Sequence, residues 1–211
     1  MKRQSLIRPP DEEWHELQQV DGDGFVDIST VDRTGLLHEL NDLCATAVKN
    51  EAAVWGEVAA LPELVVPRVS LEGMEQLGMQ RRQCHLNVLK CMALLADGRI
   101  DIVVGWITEA HLPRLHSIIR HGGELKCVTP NDFPYFRFKP DPLLEHHLDA
   151  TGTLFFTRSG IRAPKILRQD PPATIALARQ VRAAIKDGAD QIFLRDLQQL
   201  GLIARNDGVE G

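Results

Sequence analysis

Nucleotide-binding glycine patterns, paired cysteines and apolar runs of membrane length are missing from this chain, and each absence removes a class of function. The spacing Gly73 to Gly78 is neither a Walker motif nor Gly-x-Gly-x-x-Gly, so nucleotide-binding enzymes of those classes have no support. Cys44, Cys84, Cys91 and Cys127 lie far apart with no Cys-x-x-Cys pair. They read as reduced core residues, Cys84 and Cys91 sharing one helix face. Met1-Lys2-Arg3-Gln4 leads into charge and Pro9-Pro10 rather than an apolar stretch, which makes the cytoplasm the expected compartment. His111, His116 and His121 recur every five residues. That interval spreads them around a helix, whereas two ligands on one helix face need a four-residue interval, so no metal is expected. His146-His147 diverge on any regular element. Ser159-Gly160 lacks the nucleophile-elbow pattern and Cys84-His85 falls within a helix, which ranks hydrolases low.

What is present is ordinary for a globular protein: 211 residues, 44% hydrophobic and 25% charged, enough for a sizeable core. The net charge of −5 gives no global reason to expect nucleic acid as partner. Turn signals and composition divide the chain into an N-terminal tail (1–23), an α/β core (24–150) and a mainly helical C-terminal extension (151–211). A short helix at 14–20 is expected in the tail. In the core the spacing predicts a strand over 25–31, a helix over 36–49, a strand over 54–61, an irregular stretch to Gly78 and a long amphipathic helix over 80–96. The near-continuous apolar run 100–108 suits a central strand covered on both faces. A second helix through His121, stopped by Gly122-Gly123, and a short strand ending at Val128 complete the core. Past Pro171-Pro172 two helices follow, over 173–186 and near 190–200.

Three groups of residues are candidates for chemistry. Gln80, Arg81 and Arg82 open the long helix, and cations are disfavoured at the positive end of a helix dipole. An anion docked on the free N–H groups there would relieve the conflict, and two guanidinium groups suit a phosphate. Glu57, after Trp55, is a candidate acid or base if its strand borders the cleft. Trp106, Ile107 and Thr108 end the central strand, where such folds often bind ligands.

Four pieces of the chain resemble, in order, parts of the acyl-homoserine-lactone synthases, the autoinducer synthases of quorum sensing, which have an acetyltransferase-like (GNAT) fold with a mixed sheet flanked by helices. Residues 25–35 (FVDISTVDRTG) resemble the strand ending in the family's Thr-Gly turn, and 54–61 (VWGEVAAL) resemble the strand with its Trp/Glu motif. Residues 84–95 resemble the helix after its phosphopantetheine loop, and 100–130 the strand, helix and strand of its acyl pocket. The resemblance implies an acyltransferase using acyl-CoA or acyl-carrier protein, with Gln80, Arg81 and Arg82 on the pantetheine phosphate, Trp106 to Thr108 along the acyl chain, and Glu57 as the strand glutamate. Ser29 stands where the family has arginine and Ala59-Ala60 where it has Arg-Phe, and the family's N-terminal S-adenosylmethionine motifs have no counterpart. A catalytically degenerate ligand sensor is therefore the second expectation. A third is a DNA-binding regulator, since 193–203 resemble the end of a winged-helix recognition helix, with Arg162, Lys165, Arg168, Arg179, Arg182 and Arg195 as its cations.

Overall fold

The computed structural model describes residues 19–20, 24–29, 31–95, 98–108, 112–131, 134–150 and 153–202. Within them the chain is mixed α/β, with three antiparallel sheets and six helices. The principal sheet has the order β3(Leu64–Pro67), β7(Tyr135–Pro140), β4(Ile100–Ile107), β5(Arg114–His121), β6(Glu124–Lys126). The run at 100–108 is the middle strand, as its continuous apolarity predicts. Its two neighbours are both antiparallel.

This sheet closes on itself. Just past the ends of β3 and β6, Arg68 bridges Cys127 in parallel, with Cys127 N–H donating to Pro67 O and Val69 N–H to Cys127 O, both at 3.0 Å. Closure removes the free edges of a five-stranded sheet and creates an inside. Alternation then sorts the side chains: Phe136 and Phe138 of β7 point in and are buried, whereas Tyr135 and Arg137 point out. Val66, Ile107, Ile118 and Cys127 fill the rest of the interior.

One position on β4 cannot carry a side chain. A Cβ on Gly105 would lie 2.3 Å from Lys139 O and 2.6 Å from Phe138 Cζ, because β7 crosses directly over it. Gly105→Ala should therefore force the two strands apart and cost about 2–3 kcal/mol, read from the urea midpoint at unchanged slope.

Outside the barrel, α4(Cys84–Leu95) lies on β5 and packs Val88 and Cys91 against Ile100 and Ile119. A second core joins the two ends of the chain. Here α1(Arg33–Leu43) packs on α5(Pro171–Lys186), while β2(Phe25–Asp27) pairs with both β1(Gln19–Val20) and β11(Gln191–Phe193). The helix α6(Leu194–Gln199) adds Leu197 to this core. The line drawn at residue 150 falls between β8(Leu144–Leu148) and β9(Leu154–Arg158), which pair with each other and, through β9, with β10(Ile161–Arg162). Residues 1–18 and 203–211 lie outside the described residues, as does most of the helix expected at 14–20, whose last two positions are β1.

Two expected elements are of the other type, and the helix expected near 190–200 begins as β11, only Leu194–Gln199 being helical. Residues 54–59 belong to α2(Glu51–Ala59) and 60–61 to the turn after it, not to a strand: Val54, Val58 and Leu61 recur at helical intervals and meet Trp106 together. The predicted helix ending at His121 is β5, within which His116 and His121 lie. Gly122 and Gly123 have φ of 59° and 86°, the pair of left-handed residues that a two-residue hairpin turn requires, so they join β5 to β6 rather than cap a helix. The stretch called irregular contains β3 and α3(Leu71–Gln76).

Candidate active site

A cavity of about 270 Å³ opens where the barrel meets the helical core. Each neighbouring element sends one or more polar groups into it: His38, Glu39 and Asp42 from α1, Arg82 from the turn before α4, Cys84 and His85 from the start of α4, and Arg114 and His116 from β5. The expected helix start at Gln80 is thus four residues early. Leu154, Phe155 and Phe156 of β9, with Ile107 and Ile166, form an apolar wall opposite. An apolar cleft with a few convergent polar groups is the usual form of a small-molecule site.

Cys84 is the first residue of α4 and is buried. Free backbone N–H groups and the helix dipole favour a thiolate over a thiol at such a position. His85 follows it, with Nδ1 2.7 Å from Ser117 Oγ and its ring 4.4 Å from that of Phe156. Burial, with a smaller contribution from the Lys165 charge, pushes His85 down to about 4. His116 lies on the inward face of β5, edge-on to Phe136 and Phe138, and its Nε2 is 3.3 Å from Cys127 Sγ. Burial first, then the charges of Arg68 and His85, hold His116 well below the usual imidazole range. Burial thus favours the neutral form of both rings.

Arg114 is paired with Glu39, and Lys165 with Asp42 at 2.9 Å. Arg82 and Arg162 are exposed, the second lying 5.5 Å over the Phe155 ring. Arg82 has φ of 63°, a left-handed conformation that costs a non-glycine residue roughly 1 kcal/mol. A Cβ on Gly35 would lie 2.7 Å from Arg82 Nη2, so the missing side chain in α1 is what lets the guanidinium lie across that helix's start.

The sequence candidates separate in space. Of the proposed anion site, Arg82 lines the cavity and Arg81 and Gln80 do not; the Gln80 backbone is held by Asn87 through bonds of 2.9 and 2.6 Å. Of the three strand-end residues, Ile107 lines the cavity. Thr108 Oγ1 instead donates to Glu63 at 2.6 Å, and Trp106 is buried with Nε1 donating to Asp141 at 2.9 Å. Glu57 sits on α2, exposed, accepting from Arg158 Nη1 at 2.5 Å. With Trp106 and Arg158 it borders a separate cavity of about 190 Å³.

Sequence reading missed Cys84, His85 and His116. Cys84 and Cys91 do share a face of α4, but only Cys91 is plain core; Cys84, at the helix start, borders the cavity. The adjacent Cys84-His85 pair was the available signal. The cations assigned to a DNA-binding surface do not form one face, since Arg162 and Lys165 line the cavity and Arg168 is fully buried on Glu51.

Compared with protein-family models, curated proteins and solved structures, the chain matches none of them. Among the described residues no group of three or more His, Cys, Asp or Glu side chains is arranged to hold a metal ion, and no helix is long and apolar enough to cross a membrane.

Proposed function

We propose that the cavity is the active site of an acyl-transfer enzyme in which Cys84 receives the acyl group. The observation that carries the reading is the presence, in one cleft, of a thiol at a helix N-terminus, two neutral imidazoles, an apolar wall and exposed guanidinium groups. Each part has a use. The thiolate attacks the acyl carbon, the bond from that carbon to the donor's sulfur breaks, and the departing thiolate takes up the proton that an imidazole drew from Cys84. A nucleophilic amine or water then releases the acyl group from Cys84. Phe155, Phe156 and Ile166 supply apolar surface for the chain, and Arg82 with Arg162 supplies cations for a phosphorylated donor.

The acyl thioester, acyl-CoA or acyl-carrier protein, is what this reading keeps from the resemblance to acyl-homoserine-lactone synthases. The family itself has less in its favour, because two of its four pieces, 54–61 and the middle of 100–130, are the other kind of secondary structure. An acetyltransferase-like sheet would also need an opening beside its middle strand, and β4 is paired antiparallel on both sides. Glu57, 57% exposed and engaged by Arg158, is better explained as an ion-pair partner than as a catalytic acid or base.

The test is intact-mass analysis after incubation with a medium-chain acyl-CoA. The wild-type chain should gain one acyl mass, mapped to the Cys84 peptide, and Cys84→Ala should not. Arg82→Ala should still load but need roughly tenfold more donor, as expected for loss of one charge-assisted contact. Absence of an adduct on Cys84, together with no rise in unfolding temperature on adding acyl-CoA, would overturn the reading.

A further inference from the structure

Two cavities share one stretch of chain. Arg162 and Ala163 line both the cavity of Cys84 and the cavity of about 190 Å³ bordered by Glu57, Trp106 and Arg158. The inner side of the smaller one is tightly held. Asp141, whose side chain is fully buried, accepts from Trp106 Nε1 at 2.9 Å and from Arg158 Nε at 2.7 Å, which fixes the indole and the guanidinium against one carboxylate. The outer side is looser. Arg158, 8% exposed, holds Glu57 of α2 through Nη1 alone, and the Glu57 side chain stands largely in solvent. Arg158 Nη2 has no acceptor among the described residues. Lys49 and Arg162, both exposed, line the same cavity and have no carboxylate partner among the described residues. Val54, Ile161 and Pro164 add apolar wall.

We infer that the smaller cavity binds a small carboxylate with a compact apolar body, which takes the place of Glu57 on Arg158. Asp141 already neutralises the guanidinium, so Glu57 is a second anion, and it is held from the solvent side. An ion pair with one exposed partner is weak, because water competes for the charge. Turning Glu57 out into water therefore costs little. It frees Nη1 beside Nη2, and those two parallel donors match the two oxygens of a carboxylate. Lys49 and Arg162 add positive charge around the incoming anion, and the apolar wall receives its body. Space sets the size of that body. About 190 Å³ is less than the roughly 300–1,000 Å³ of pockets for drug-sized ligands, so a single ring or a short branched chain fits. Inorganic phosphate would meet the same cations but leave the apolar wall bare. This inference does not depend on acyl transfer at Cys84, which does not line the smaller cavity.

Calorimetric titration of the full chain with sodium benzoate tests it, with benzamide as the uncharged control and inorganic phosphate as the tetrahedral one. Benzoate should bind saturably, and both controls should bind roughly tenfold more weakly. Glu57→Gln removes the competing charge and should tighten benzoate about threefold, the scale of a surface ion pair. Lys49→Ala should weaken it by about the same factor. Ala53, exposed on α2, also lines the cavity, so Ala53→Phe should fill the space and abolish binding. Benzoate binding that survives Ala53→Phe would place the ligand elsewhere and overturn the inference. Lack of saturable binding to both the wild-type chain and Glu57→Gln, equal affinity for benzamide, or weaker binding in Glu57→Gln would overturn it as well. Should Ala53→Phe not fold, the benzamide control and the direction of the Glu57→Gln effect still decide it. Acyl loading of Cys84 is read separately by mass, so failure of one claim is distinguishable from failure of the other.

Discussion

Glu51→Ala is expected to lower the free energy of unfolding by about 3–5 kcal/mol, the cost of leaving a buried charge without its partner. Glu51 and Arg168 are both inaccessible, with side-chain exposures of 0% and 1%. The pair is bidentate: Nε donates to Oε1 at 2.7 Å and Nη2 to Oε2 at 2.8 Å. The Arg168 backbone N–H adds a bond to Oε1 and that of Val48 one to Oε2, while Arg168 Nη1 donates to the carbonyls of Leu43 and Ala45 at 2.8 and 2.7 Å. The network joins the end of α1, the start of α2 and the segment after β10. Asn50, the N-cap of α2, makes no side-chain capping bond, so Glu51 is also the anion of that helix's first turn. Truncation to alanine leaves the guanidinium with only two carbonyl partners. For a chain of this length the loss corresponds to a fall in Tm of roughly 6–20 °C by calorimetry. Glu51→Ala combined with Arg168→Met should recover part of it, because the stranded charge is then gone. A fall below 1 kcal/mol in the single variant would mean that water reaches Arg168.

Acidification gives the second large effect, and its sign follows from the two neutral imidazoles. His85 has its folded-state pKa lowered from 6.5 to about 4. Between those values the unfolded chain binds a proton that the folded chain excludes, so stability rises with pH across the window. It is complete above about 6.5 and lost as pH falls toward 4. Between pH 7.5 and pH 5 His85 alone should account for about 2 kcal/mol, and His116, lowered chiefly by burial, adds in the same direction. Urea denaturation at the two pH values measures the sum. His85→Gln should flatten the profile, since glutamine can still face Ser117 without titrating. A profile with the same slope in that variant would place the acid sensitivity elsewhere.

The two effects bear on function together, because both act on the junction where the cavity lies. Ala163, Lys165 and Ile166 line the cavity, and Arg168, two residues on, anchors that segment to α1 and α2. A variant loosened at Glu51 should therefore weaken acyl loading at temperatures where the barrel is still folded.

Some of this was legible in the residues. Periodicity located α1, α4 and α5, and the structure adds the caps at two of their starts: Asp32 accepts from Thr34 N–H, and Asp170 from Ala173 N–H ahead of Pro171-Pro172. The near-continuous apolar run of β4, interrupted by Asp101 and Gly105, announced a central strand. Short segments were less legible, because eight residues rich in alanine and valine satisfy both periods. The helical character of α2 depends on Glu51 before it and Trp106 beneath it, and both are tertiary facts.

The site was written in the sequence only as parts. Arg82 was singled out as opening the long helix, but that helix starts at Cys84, and Arg82 reaches the cavity from the left-handed turn before it. Cys84 and His116 are separated by 31 intervening residues, and no local spacing relates them. Local chemistry, acting through backbone preference, capping and burial of apolar faces, determined which stretches became helix or strand and how cysteine and charge were supplied. Closure of the barrel decided the rest. Because successive residues of a strand point to opposite sides, the bond between the ends of β3 and β6 settled which residues face inward, and so put His116 between a cavity and a buried sulfur.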